Sequence, residues 1–129
     1  MPLTKIEVRK NWSPDKVQAI IEALYLAQRE ALQLPEQDRQ IRYIEHQSEH
    51  FHAPPDKTEN YTLIEITLFA GRSLKTKRKL YESIVKRLGL LGIAANDIFI
   101  ALNEVAFESW GIRGGLLASE VELGFNVKV

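Results

Sequence analysis

Two hydrophobic rhythms alternate along this chain, and each predicts an element. From Leu3 to Val8 the side chains alternate in the period-two manner of a half-buried strand. From Val17 to Leu32 the period lengthens: Val17, Ile20, Ile21, Leu24, Ala27, Ala31 and Leu32 recur at three- and four-residue spacing, one apolar stripe of a helix. Asn11 to Asp15 reads as its start, with Ser13 as N-cap, Pro14 at the first helical position and Asp15 near the positive end of the dipole. Pro35 disfavours helical geometry at Leu34 and ends it. Gln40 to His46 is the next strand, with Ile41, Tyr43 and Glu45 alternating against Arg42 and Ile44.

Gln47 to Asn60 is polar, contains Pro54-Pro55-Asp56 and reads as a loop joining two halves. The pattern then restarts. Tyr61 to Leu68 is rich in β-branched residues and is the most strand-like run in the chain. Ala70-Gly71-Arg72-Ser73 is a turn into a second helix capped by Ser73, with Leu80, Tyr81, Ile84, Val85, Leu88 and Leu91 on one stripe and Gly89 and Gly92 weakening its end. Asp97 to Asn103, mostly apolar, is expected as a strand buried on both faces. In the tail, Gly114-Gly115 permits a tight turn or β-ribbon near Trp110 and Arg113, Leu116 to Leu123 is expected as a short helix, and Phe125 to Val129 as an edge strand.

The restart is an internal repeat. Thr4–Val8 matches Thr62–Ile66 at an offset of 58 residues, and Asp38, Ile41 and Glu45 match Asp97, Ile100 and Glu104 at an offset of 59. Duplication of β-α-β predicts an α+β fold: one four-stranded mixed sheet with two helices on one face, the right-handed solution for both crossovers. The expected organisation is one domain over 1–129, with repeat one at about 2–46, repeat two at about 61–104 and a tail at 105–129. The bare sheet face requires a cover, and self-association is the economical one.

Composition narrows the function classes. Seventeen basic residues balance seventeen acidic ones, which argues against a nucleic-acid partner. No apolar run approaches membrane-spanning length, so no membrane partner is expected. The absence of cysteine excludes a disulfide scaffold and a thiolate metal site and fits a cytoplasmic location. His46, His50 and His52 run into a proline-containing loop instead of lying on the rigid helix a metal pair needs, so no metal is expected. Lys75 to Lys79 reads as the solvated face of the second helix.

Pro2 supplies the candidate chemistry. Removal of Met1 would leave a secondary amine at the head of a strand, with φ locked by the ring. Neutral, such an amine is a base; protonated, it is an acid. Pro2, the duplication, the Gly71-Arg72-Ser73 turn, the Ile41-Arg42-Tyr43-Ile44 strand and the tail from Trp110 to Ser119 together resemble the tautomerase superfamily, the 4-oxalocrotonate tautomerase-like or tautomerase/MIF-like fold. The Pro35–Asp38 run and the placing of Trp110 are most similar to its fused malonate semialdehyde decarboxylase branch.

The resemblance implies a homotrimer using no cofactor, with Pro2 catalytic, Arg72 binding a substrate carboxylate and Asp38 activating water. It also implies that Arg42 polarises a carbonyl and that Trp110 lines and desolvates the pocket. Each has a plainer reading: a solvated turn for Arg72, a turn carboxylate for Asp38, an exposed strand residue for Arg42, a core or interface aromatic for Trp110. Two positions depart from the pattern: Ala70 stands where the decarboxylases carry a further arginine, and Trp12 where the short tautomerases do. The expected activity is tautomerisation of enol or dienol forms of small 2-oxo acids. The alternatives are a decarboxylase or hydratase-like lyase on a small 3-oxo or unsaturated acid, and a non-catalytic trimeric binding protein.

Overall fold

The structure, a computed structural model, describes residues 2–9 and 12–129; Met1, whose removal the chemistry of Pro2 requires, and Asn11, read as part of the helix start, lie outside the described residues. The elements run β1 (Leu3–Val8), α1 (Pro14–Leu32), β2 (Ile41–Glu45), β3 (Thr62–Phe69), α2 (Leu74–Leu90) and β4 (Ile98–Val105), with a ribbon of β5 (Gly111–Ile112) and β6 (Leu116–Leu117) in the tail. The two helix starts follow their caps. Ser13 Oγ accepts from the Lys16 amide at 3.2 Å, and Ser73 Oγ accepts from the Thr76 amide at 3.1 Å. Helix α1 ends at Gln33 in the left-handed conformation, just before Pro35.

Strand order is β2-β1-β3-β4, with β1/β2 and β3/β4 parallel and the central β1/β3 pair antiparallel. Ile6 pairs with Ile64, its own counterpart at the 58-residue offset, so a pseudo-twofold axis passes through that pair. The even offset keeps the faces matched. Thr4, Ile6 and Val8 of β1 and Thr62, Ile64, Ile66 and Leu68 of β3 are buried. They form one core with Ile20, Leu24, Ala27 and Leu32 of α1 and Leu80, Ile84 and Leu88 of α2. Both helices therefore cover one face, as the crossover rule requires.

Three sequence expectations are corrected. Strand β4 is an edge strand buried on neither face throughout: its residues are intermediate or exposed, and Phe99 is 55% exposed on the uncovered side. Its apolar run reflects one face on the core and one on the open sheet, which a strand buried twice would also produce. Leu116 to Leu123 is not a helix but β6 followed by a 3-10 turn at Ala118–Glu120, because Arg113, Gly114 and Gly115 all take positive φ and reverse the chain into the ribbon. Residues 125–129 form no strand; the buried Val127 packs with Phe69, Trp110 and Ala118 instead. No helix among the described residues is long and apolar enough to cross a membrane.

The repeat continues past the second strand of each half. A 3-10 turn at Ser48–His50 follows β2 and another at Phe107–Ser109 follows β4, again 59 residues on, which makes Phe51 the counterpart of Trp110. In the first half the chain then closes the corner at the head of β3. The buried Asp97 accepts from the Thr58 amide at 2.8 Å and from the Thr58 hydroxyl, while Arg9 donates to the Phe51 and Thr58 carbonyls at 3.0 Å each. Asp97→Ala therefore removes the buried carboxylate that accepts both Thr58 donors and is expected to lower stability by about 1–3 kcal/mol in urea unfolding.

Tyr43, on the core side of β2, has a buried hydroxyl without a hydrogen-bond partner. Burial, with a smaller contribution from the Glu45 carboxylate, pushes its pKa up to about 12. The folded pKa is raised, so any stability this group contributes is complete below the unfolded value near ~10 and is lost as pH climbs towards the folded value. Absorbance titration of tyrosinate is expected to show one late step that Tyr43→Phe abolishes, and that variant should be at least as stable as the parent at neutral pH.

Candidate active site

At the opposite corner the head of β1 meets two segments. The first is the connection from α1 to β2, which α1 itself holds in place. Tyr25 donates from its hydroxyl to the Glu36 carbonyl, Arg39 stacks 3.8 Å from the Tyr25 ring, and Arg39 also pairs with Glu22 at 2.9 Å. Within the connection the Asp38 amide donates to the Pro35 carbonyl at 3.1 Å, and the Thr4 amide donates to the Gln40 carbonyl at 3.0 Å. Asp38 is thereby fixed beside the start of β1.

The second segment is the tail. Phe69, wholly buried at the end of β3, contacts the Trp110 ring with centroids 4.8 Å apart, and Trp110 Nε1 donates to the Val105 carbonyl at 3.2 Å. The Ala118 amide donates to the Trp110 carbonyl at 3.1 Å, tying the ribbon back onto the same residue. Trp110 is 8% exposed, so its indole is a wall set in the fold and not a mobile flap.

Between these segments lies an open cleft of about 560 Å³, within the ordinary range for small-molecule sites. Leu3, Pro35, Asp38 and Gln40 line one side; Trp110, Ile112, Arg113, Leu123 and Phe125 line the other. Pro2 is buried immediately before Leu3. Leu3 pairs with Thr67, so one further step of that register brings Pro2 level with Leu68, two residues before the turn that carries Arg72. The structure thus brings Pro2, Asp38 and Trp110 to one corner.

Arg72 stands apart from that cleft. It is 6% exposed, and its Nη1 donates to the Leu32 carbonyl at 2.8 Å, satisfying one of the orphan carbonyls at the end of α1. Burial pushes its guanidinium below the ordinary arginine value. Gly71 before it has φ +126°, and the Val127 carbonyl lies 3.6 Å from where a Cβ would stand, so the tail lies over this turn. Arg42 is exposed on the open face of edge strand β2, in register with Lys5 and away from the cleft. Trp12 packs against the core. The histidines scatter: His46 Nε2 bonds Glu7 Oε2 at 2.7 Å on the sheet, whereas His52 Nε2 bonds the Glu49 carbonyl at 3.1 Å.

Sequence reading missed the cleft's second wall. Ile112, Arg113, Leu123 and Phe125 follow no helical or strand period, and the only local signal was the pair of glycines that folds the ribbon.

Fold and cleft together define a duplicated β-α-β protein with an open cleft at the head of its first strand. A family model described as tautomerase enzyme matches residues 38–113, and the chain belongs to that family. Among solved structures it is similar to FG41 malonate semialdehyde decarboxylase inhibited by 3-bromopropiolate, with 27% identity over 89% of this chain and 92% of that one and a TM-score of 0.81. It is also similar to a malonate semialdehyde decarboxylase solved to explain decarboxylase and hydratase activities, with 20% identity, 87% and 92% coverage and a TM-score of 0.80. A fused 4-OT symmetric trimer shares 19% identity over 91% of this chain and 96% of that one, with a TM-score of 0.82. The last two likenesses carry the fold alone.

Replacing Arg72 tests the bond it makes. Arg72→Met removes the donor from a buried carbonyl and is expected to destabilise the chain by about 1–3 kcal/mol in urea unfolding, apart from any effect on turnover.

Proposed function

We propose that this chain is a cofactor-independent tautomerase of the enol or dienol forms of small 2-oxo acids, with the N-terminal Pro2 as general base after Met1 is removed. The observation that carries this reading is the burial of Pro2 at the head of β1, beside a cleft walled by Trp110 and Phe125. A free α-amino group titrates near ~8, and burial among apolar groups disfavours its cation. The neutral nitrogen takes the proton from the enol hydroxyl and returns one to the carbon, so the reaction is an isomerisation with no redox change and no leaving group. Trp110 keeps water from the amine; Arg72 acts through the frame, its Nη1 held by the Leu32 carbonyl outside the cleft, and Arg42 reaches a site only through a neighbouring copy. Assembly as a homotrimer would cover the open sheet face carrying Leu3 and Phe99, and the fused 4-OT likeness supports that assembly. A cytoplasmic location belongs to the same reading.

A second reading has its own observation. Asp38 lines the same cleft, and the 27% identical relative is a malonate semialdehyde decarboxylase, so a protonated Pro2 assisting decarboxylation or hydration, with Asp38 activating water, is the alternative.

Pro2→Ala is expected to lower kcat/KM for phenylenolpyruvate ketonisation by about 10²-fold or more. Unchanged turnover, or Met1 retained in the intact mass of the active protein, refutes the base role. Titration of the amine by nitrogen NMR separates the two readings: a pKa below the free value supports the tautomerase and a raised one the lyase.

A further inference from the structure

Of the side chains that line the cleft one is cationic, on the wall contributed by the tail. We propose that Arg113 binds the substrate carboxylate and sets the preference of this cleft for acids; the proposal rests on reading the cleft as the site of a small 2-oxo or enol acid. Arg113 lines the cleft with Asp38, Gln40 and Trp110. Its side chain makes no hydrogen bond or ion pair among the described residues, so all its donors remain available to a ligand. Arg72, by contrast, is buried against the Leu32 carbonyl, and Arg42 lies on the open sheet face.

The backbone supplies an independent reason. Arg113 has φ +50°, the left-handed region, in a turn whose next two residues are glycines at positive φ. A side chain there costs on the order of 1 kcal/mol relative to glycine, and such outliers gather at ligand sites. Nothing in the turn requires a guanidinium. The ribbon below it is pinned: the Gly115 amide donates to the Ile112 carbonyl at 3.1 Å, and Trp110 is held at both its carbonyl and its indole nitrogen. A fork on a fixed root can accept a carboxylate in two parallel bonds. The substrate's apolar body then lies along Trp110, Ile112 and Phe125, which selects a monoacid bearing an aryl or short alkyl group.

The test uses the full chain with Arg113→Gln and Arg113→Lys. The exposed, unbonded side chain makes both expected to melt as the parent does. Titration with phenylacetate, an unreactive monoacid, is expected to show affinity reduced about tenfold or more in the glutamine variant and partly restored in the lysine variant. For phenylenolpyruvate the glutamine variant should raise KM by about tenfold with kcat within about threefold, while turnover of the methyl ester of the same enol stays at the parent level. Equal phenylacetate affinity in parent and glutamine variant, no saturable binding by the parent, or an equal loss of ester turnover overturns the proposal. A parent that turns over neither enol yet binds phenylacetate in an Arg113-dependent way refutes the tautomerase reading and supports the role of Arg113.

Discussion

The antiparallel pairing of β1 with β3 is the interaction on which the rest of this molecule depends. It joins two β-α-β units that would each leave a two-stranded sheet, too small to be stable alone, and makes one four-stranded sheet of them. Ile6 and Ile64 face each other across the junction, and both are fully buried. A one-residue slip would turn Thr4, Ile6 and Val8 to the open face and Lys5 and Glu7 into the core, so the register is set by burial on one side only. Because β1 and β3 run in opposite directions, the head of each lies beside the exit of the other. That places Pro2 beside the turn leaving β3.

The pseudo-twofold creates two such corners, and the chain treats them differently. At one, Asn60 precedes β3 and Asp97 is consumed by Thr58, so the linker between the halves fills the space. At the other, Pro2 precedes β1, Asp38 faces a cleft, and the segment equivalent to the linker is the tail, which folds into a ribbon and stands off as a wall. The difference is one of continuity. The linker must travel from β2 to β3 and passes over the corner on its way; the tail turns back on itself in the β5-β6 ribbon and leaves a hollow.

Much of this was legible in the sequence because it is local. Ser13, Pro14 and Ser73 announce their helices through capping chemistry that needs no partner, and the restart at Thr62 announces the duplication. What escaped was set by position in the sheet or by tertiary packing. The apolar content of β4 is the same whether the strand is central or at the edge; only the pairing order decides, and that order leaves Phe99 exposed. Leu116 to Leu123 reads as a short helix in the sequence, but three successive positive φ values at Arg113, Gly114 and Gly115 turn the chain into a ribbon first. Asp38 and Trp110 were reached through resemblance, since neither periodicity nor composition brings residues so far apart in the chain to one cleft.

Arg72 illustrates how one residue type answers two physical demands. The carbonyl end of α1 carries partial negative charge and orphan acceptors, and a buried guanidinium against Leu32 is a satisfactory partner for both. That bond holds the end of α1 against the exit of β3, and with it the connection that presents Asp38. A cation placed so deeply is fixed in the resting protein and weakly hydrated, good for holding a frame. A guanidinium at the cleft mouth is solvated and adjustable, good for capturing an anion from water, though there its attraction is reduced by solvent. On the proposed reading the first holds the frame and the second meets the substrate. Positive charge near the amine would disfavour its cation, while a carboxylate such as Asp38 would favour it. On that reading the balance among these charges sets whether Pro2 rests as a base or as an acid, and so which of the two proposed reactions the cleft favours.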